Sequence, residues 1–155
     1  MSAVIVSLRV KASPQRAFDA FTQDIAAWWR PNGLFQLTPR DDGELRFELG
    51  EGGRLITELP NGKVFEIGRI TAWAPPERLA FTWRQASLAA GQVTYVEVRF
   101  EPVGDETRIT VEHRGWDAIP QDHTARHGFP LGATQMRLGE HWRTLLGALR
   151  ETLGA

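Results

Sequence analysis

An α+β fold, with a curved antiparallel sheet of six to seven strands wrapped around a long C-terminal helix, is predicted by three observations. First, Gly53–Trp83 holds three apolar runs broken at Pro60-Asn61-Gly62 and at Pro75-Pro76. Asn-Gly tolerates the positive φ of a tight hairpin turn, and proline has no N–H with which to continue a ladder. Strands are therefore expected at Arg54–Leu59, Val64–Trp73 and Arg78–Arg84. Second, Leu79, Phe81 and Trp83 alternate with Ala80 and Thr82, which gives the last of these strands one large apolar face. Third, Gly132–Leu153 carries Leu138, Trp142, Leu145, Leu146, Leu149 and Leu153 at i, i+3 and i+4 steps, the stripe of an amphipathic helix. At ~1.5 Å per residue that helix is roughly 30 Å long. A meander with one apolar face needs a cover, and this helix is the one element long enough to supply it.

The remaining elements come in chain order. Ala3–Lys11 alternates Val4, Val6, Leu8 and Val10 with polar or small residues, as a half-buried strand does. Ser13-Pro14 reads as an N-cap followed by a first-turn proline. Ala17, Phe18, Phe21 and Ile25 then keep helical spacing up to Trp28-Trp29, and Pro31-Asn32-Gly33 stops the run. Two short helices are expected, broken near Thr22–Asp24. Leu34–Arg40 reads as a short strand or an extended loop, and Asp41-Asp42-Gly43 as a turn. Glu44–Leu49 is a strand with Leu45, Phe47 and Leu49 on one face, closed by the turn Gly50–Gly53. Gln85–Gly91 is a small-residue loop. Val93–Glu101 presents Val96, Val98 and Phe100 on one face, and Thr107–Arg114 returns with Ile109, Val111 and His113. Trp116–Ala133 lacks periodicity and reads as a loop, with a short helical piece around Asp122–His127.

Composition narrows the function classes. The 155 residues are 42% apolar and 24% charged, the profile of one globular domain with a full core. A net charge of −1 argues against a broad nucleic-acid surface. The absence of cysteine excludes disulfide and thiol chemistry. No signal peptide and no bilayer-length apolar run is seen, so the expected location is cytoplasmic. Six tryptophans and eight phenylalanines are a heavy aromatic load. They serve as packed core or as the lining of a pocket, and spacing leaves both open.

Few residues have the makings of catalysis. His113 lies on an apolar strand face, as a hydrogen-bonded structural histidine, a polar handle in a pocket or a general base. His141, beside Glu140 and Trp142, sits at the margin of the helix stripe. His123 and His127 are spaced i, i+4, but Gly128 and Pro130 follow at once and no carboxylate pattern frames them, so no metal site is expected. Carboxylates such as Asp41-Asp42, Glu48, Glu58, Glu66 and Glu97 fall in turns or on polar faces. No nucleophile elbow, phosphate loop or dinucleotide fingerprint is present, and no cofactor is expected. Of Trp28 and Trp29, adjacent at a helix end, at most one should face the interior.

An ordered set of short pieces carries a resemblance. They are Ser13-Pro14-Gln15-Arg16-Ala17-Phe18-Asp19-Ala20-Phe21, Trp28-Trp29, Gly52-Gly53-Arg54, Gly68-Arg69-Ile70, and Trp73-Ala74-Pro75-Pro76-Glu77-Arg78-Leu79 running on to Phe81-Thr82-Trp83. Thr107–His113, Gly115-Trp116 and the Trp142–Leu149 helix complete it. Together they cover almost the whole chain and resemble the helix-grip (START-like, SRPBCC) superfamily, in the branch named after the activator of a heat-shock chaperone ATPase (Aha-type). The resemblance implies a cavity between sheet and long helix, open to a small hydrophobic or aromatic molecule. Phe47, Phe65, Trp83, Val98 and His113 would line it from the sheet, Met136 and Trp142 from the helix, with Trp28 at its mouth. His113 and Arg69 would orient a polar group. Such a superfamily hosts many functions. The alternatives are a cyclase- or hydrolase-type enzyme with His113 or His141 as acid/base, and a chaperone-associated interaction protein. Open edge strands offer a route to a homodimer.

Overall fold

Why the chain closes as it does is visible at its first helix. In the computed structural model, which describes residues 3–30, 32, 34, 35, 37, 43–84 and 92–154, strand β1 (Ala3–Val10) leads into α1 (Pro14–Gln23). The Ser13 hydroxyl accepts the Arg16 N–H at 3.1 Å and Pro14 opens the helix, which satisfies one of the donors a helix start leaves over. Asp24 separates α1 from the single turn of α2 (Ile25–Trp28), where the break was expected. Phe18 and Phe21 point inward and pack on Phe100, with ring centroids 5.2 and 5.9 Å away.

Seven antiparallel strands take the order β1-β7-β6-β5-β4-β3-β2. The later six are β2 (Glu44–Phe47), β3 (Arg54–Glu58), β4 (Val64–Ala74), β5 (Arg78–Trp83), β6 (Thr94–Val103) and β7 (Glu106–Arg114). The curled sheet wraps as a half-barrel around α3 (Leu131–Thr152), the helix-grip arrangement expected. Register stacks the inward side chains in rows. Val6 faces Val111, Val111 faces Val98 and Val98 faces Leu79, while Val4, His113, Val96 and Phe81 form the next row. All but His113 are apolar, and all are buried. Across the ends, an Arg16 Nη2–H donates to the Leu153 carbonyl at 2.9 Å. This places a cation on the carbonyl end of α3, where the helix dipole favours it.

Strand β4 departs from simple alternation. Against β3, Leu55 faces Gly68 and Ile56 faces Glu66, so Ile67 is an extra residue. Against β5, Ile70 faces Phe81 and Ala72 faces Ala80, so Thr71 is another. Each bulge reverses the parity of the residues beyond it. Ile67, Ile70 and Trp73 consequently all turn inward, and Arg69 turns out.

Two expectations need correction. Strand β2 stops at Phe47, and Leu49 is exposed. The chain turns there, with the Glu48 carboxylate gripping the Arg54 guanidinium at 2.8 Å through two bonds. The second concerns Arg69, which does not face the interior, for the parity reason just given. The short helical piece expected around Asp122–His127 is a 3-10 turn over Thr124–Arg126, and another such turn covers Trp116–Ala118. Asp41 and Asp42, most of the Leu34–Arg40 stretch and the Gln85–Gly91 loop lie outside the described residues.

Candidate functional site

Four elements deliver polar and aromatic groups to one point. β5 ends on Trp83, β6 opens on Thr94, and the two residues are register partners. His113 stands one residue before the end of β7. Gly115 comes next but one, with φ 101°, a conformation that L side chains rarely adopt. That turn folds Trp116 back, so its indole reaches the histidine three residues before it. From the other side α3 supplies Trp142. The ring of Trp83 lies 5.9 Å from His113 and 6.3 Å from Trp142.

The hydrogen bonds of His113 can be counted. Trp142 donates its Nε1–H to Nδ1 at 3.1 Å. The Thr94 hydroxyl lies 2.7 Å from Nε2 and donates its own proton to the Trp83 carbonyl at 3.2 Å. Nε2–H therefore donates to Thr94 Oγ1, which makes a chain from Trp142 through His113 and Thr94 to the Trp83 carbonyl. This tautomer uses both ring nitrogens. The ring is 1% exposed. Burial, and secondarily the neighbouring His141, push its pKa down to about 3, so it is neutral at ordinary pH. A neutral imidazole with its lone pair and its proton both committed is built to hold the interior together, and it has no free site with which to take a proton from a substrate.

His141 differs. It is 5% exposed, burial lowers its pKa to about 4, and its ring has no hydrogen-bond partner among the described residues. Its neighbours are aromatic. Phe35 stacks on it with centroids 5.8 Å apart and planes 12° from parallel. Trp29 meets it edge-on at 5.8 Å. Trp29 also packs on Trp83 at 5.4 Å and Trp142 at 6.2 Å. The same tryptophan lines a cleft of about 490 Å³, shared with Ala26, Ala27, Leu37, Leu45 and Thr57. Trp29 thus touches both that cleft and the histidine cluster.

Of the residues expected to bind a ligand, Trp83, His113 and Trp142 meet here. Phe47 is buried nearby in a separate contact set, with Phe81 at 5.3 Å and Phe21 at 6.4 Å. Val98 is buried mid-sheet. Trp28 lies wholly inside the helix pair, its Nε1–H donating to the Ala20 carbonyl at 3.1 Å, and Trp29 is the tryptophan that reaches the cluster. Phe65 is half-buried at the sheet rim, beneath the Arg84 guanidinium at 5.8 Å. Arg69 is exposed and pairs with Glu66 at 3.2 Å. Met136 is 59% exposed, because α3 turns Leu138, Trp142, Leu145 and Leu149 to the core instead. Thr94, Trp116 and Phe35 escaped the sequence reading, and of the adjacent pair Trp28 was named for the pocket where Trp29 is the one that reaches the cluster. The signal for Trp116 was present: a glycine directly after a strand can return the next side chain to that strand.

His123 and His127 do local work. His123 Nδ1 accepts the Ala125 N–H at 3.0 Å, and His127 Nε2 lies 2.6 Å from the Leu34 carbonyl. Among the described residues no three His, Asp or Glu side chains are placed to share a metal, and no helix is long and apolar enough to cross a membrane.

This architecture is shared with known proteins. A family model described as activator of Hsp90 ATPase homolog 1-like protein matches residues 11–154. The solution structure of the Aha1 dimer from Colwellia psychrerythraea is 16% identical over 99% of this chain and 96% of that one, with a TM-score of 0.68. An HSP90 activator from Plasmodium falciparum is 19% identical over 99% and 97%, with a TM-score of 0.66. A protein in the dynemicin biosynthetic locus is 20% identical, with a TM-score of 0.69, over 100% of this chain and 48% of that one. At these identities the structures establish a common fold. No curated protein matches the chain.

Proposed function

Because the chain belongs to the activator of Hsp90 ATPase homolog 1-like family, we propose that it binds a small, flat, largely apolar molecule between the sheet and α3. The site is the cluster of Trp29, Trp83, His113, His141 and Trp142, reached from the cleft beside Trp29. What supports this reading above all is His141, a buried imidazole with no hydrogen-bond partner among the described residues, set among aromatic rings next to an open cleft. Burying a polar group unpaired costs stability, and folds tolerate such groups mainly where a ligand or a function uses them. A mostly aromatic enclosure with a few convergent polar groups is the usual form of a small-molecule site. The apolar contact would come from Trp29, Trp83 and Trp142, and the polar contact from His141.

Titration with an apolar fluorescent aromatic tests this. The wild-type protein is expected to saturate at one probe per chain, and Trp83→Ala to weaken binding about tenfold while its circular dichroism is retained. Equal affinity in the two proteins would contradict the assignment.

A further inference from the structure

Buried polar side chains in this fold are almost all matched. Thr22 donates to the Phe18 carbonyl, Thr107 donates to the Ala12 carbonyl, and Thr110 bonds Ser7. Thr134 accepts from Arg126, and Thr94 and His113 bond each other. Two buried polar side chains have no hydrogen-bond partner among the described residues: His141, and Thr57 on β3. A buried hydroxyl left unmatched costs stability, and natural folds seldom keep one without a use.

Thr57 is 2% exposed and lies opposite Leu45 of β2, as Leu55 lies opposite Phe47. All four are buried on the inward face, and Thr57 is the polar one. Its hydroxyl points at Gly43, where a Cβ would lie 1.9 Å from Oγ1. Gly43 and Thr57 both line the cleft beside Trp29, together with Leu37 and Leu45. The unmatched oxygen therefore stands in the wall of an open space of about 490 Å³, and the glycine leaves it room. That volume falls in the range of small-molecule pockets, and the walls are mainly apolar, as such pockets require.

Charge narrows what can enter. Glu44 is the one charged side chain among the described lining residues, and it is exposed. An ammonium or a carboxylate reaching the buried Thr57 oxygen would leave water with only a hydroxyl to compensate it, at a large cost. An uncharged hydroxyl loses far less, and Thr57 can both donate to it and accept from it.

We infer that this cleft is itself a binding site, for an apolar molecule with one uncharged hydrogen-bonding end, such as an alcohol, which Thr57 holds. This goes beyond the reading above, since the cleft is open as it stands and no ring of the histidine cluster has to move. The two share Trp29 as a wall, and Thr57, not His141, takes the polar end.

Naphthalenemethanol, ethylnaphthalene and naphthylmethylamine test this, because they share a shape and differ in the end group. The alcohol is expected to bind the wild-type protein about three- to tenfold more tightly than the hydrocarbon, the yield of one hydrogen bond, and more tightly than the amine. Thr57→Val should abolish the advantage of the alcohol and leave the hydrocarbon within about twofold. Without ligand, Thr57→Val should melt no lower than wild type, because it removes an unmatched hydroxyl. In the wild-type protein the alcohol should shift the amide signals of Ala27, Gly43 and Thr57, a readout that needs no variant. An alcohol advantage that survives Thr57→Val, an amine that binds as well as the alcohol, a lowered melting temperature, or shifts that spare Gly43 and Thr57 would each overturn the inference. Loss of binding in Trp83→Ala bears on the histidine cluster and not on this cleft, so the two readings fail separately.

Discussion

His113 and His141 both sit in the core as neutral rings, and that makes the stability of the protein depend on pH in a calculable direction. Their folded pKa values, about 3 and about 4, lie below the ordinary value of 6.5. Between these limits the unfolded chain binds more protons than the folded one, so stability rises with pH. Their contribution is complete above about pH 6.5 and is lost as pH falls toward 4 and then 3. Each unit of pH within the window changes stability by up to about 1.4 kcal/mol per histidine. Urea unfolding at pH 7.5 and pH 5 should therefore differ by roughly 2–4 kcal/mol. His141→Phe, which removes one of the two buried titrating rings, should roughly halve that difference, and an undiminished pH dependence would contradict the assignment. Glu48, held down to about 2 chiefly by its hydrogen bond from Arg54, loses its own contribution only below about pH 4.5, outside the comparison of pH 7.5 with pH 5. At this scale the sequence was half legible. Period-two alternation placed His113 on the buried face correctly. Alternation ends with the strand, however, and so it carried no information about Trp116, whose position depends on the positive φ of Gly115.

Strand β4 shows what pattern reading misses in an element. Its existence was legible from the Asn-Gly turn before it and the double proline after it, and the observed bounds fall within a residue of those expected. Its parity was not, because the extra residues Ile67 and Thr71 leave no mark in composition. Arg69 was therefore expected inside and lies outside, paired with Glu66. Gly68 is the residue that permits this geometry. A Cβ there would sit 1.7 Å from the Thr82 carbonyl oxygen, a backbone atom of the next strand. Gly68→Ala should cost about 1–3 kcal/mol or more through forced separation of β4 from β5. Chemical denaturation is the check, and a cost below about 0.5 kcal/mol would show that the two strands part easily there. α3, by contrast, was read almost to the residue. Its 22 residues keep one stripe with no irregularity, and a stripe of that length averages out local exceptions. Leu145→Ala, at a wholly buried position of that stripe, should cost about 2–5 kcal/mol; a smaller loss in thermal or urea unfolding would mean that α3 is loosely seated.

The whole molecule is a curled sheet closed by one long helix, with an aromatic interior that meets solvent beside Trp29. The order of elements and the sidedness of most strands were legible because each rests on local rules, such as caps, turn chemistry and alternation. The gathering of Trp29, Phe35, His113, Trp116, His141 and Trp142 at one point was not. It depends on how the one-turn α2 and the Trp116–Ala118 turn pack against α3, and contacts between residues as distant as Trp29 and His141 leave no period in a sequence. The central claim is that this interior holds a small molecule, and native mass spectrometry of the purified protein, followed by mass analysis of its organic extract, tests it most directly. The account predicts an intact mass above that of the polypeptide by one small molecule, which reappears in the extract as a flat, largely apolar compound. A bare polypeptide mass, together with no binding of the apolar fluorescent aromatic, would contradict it.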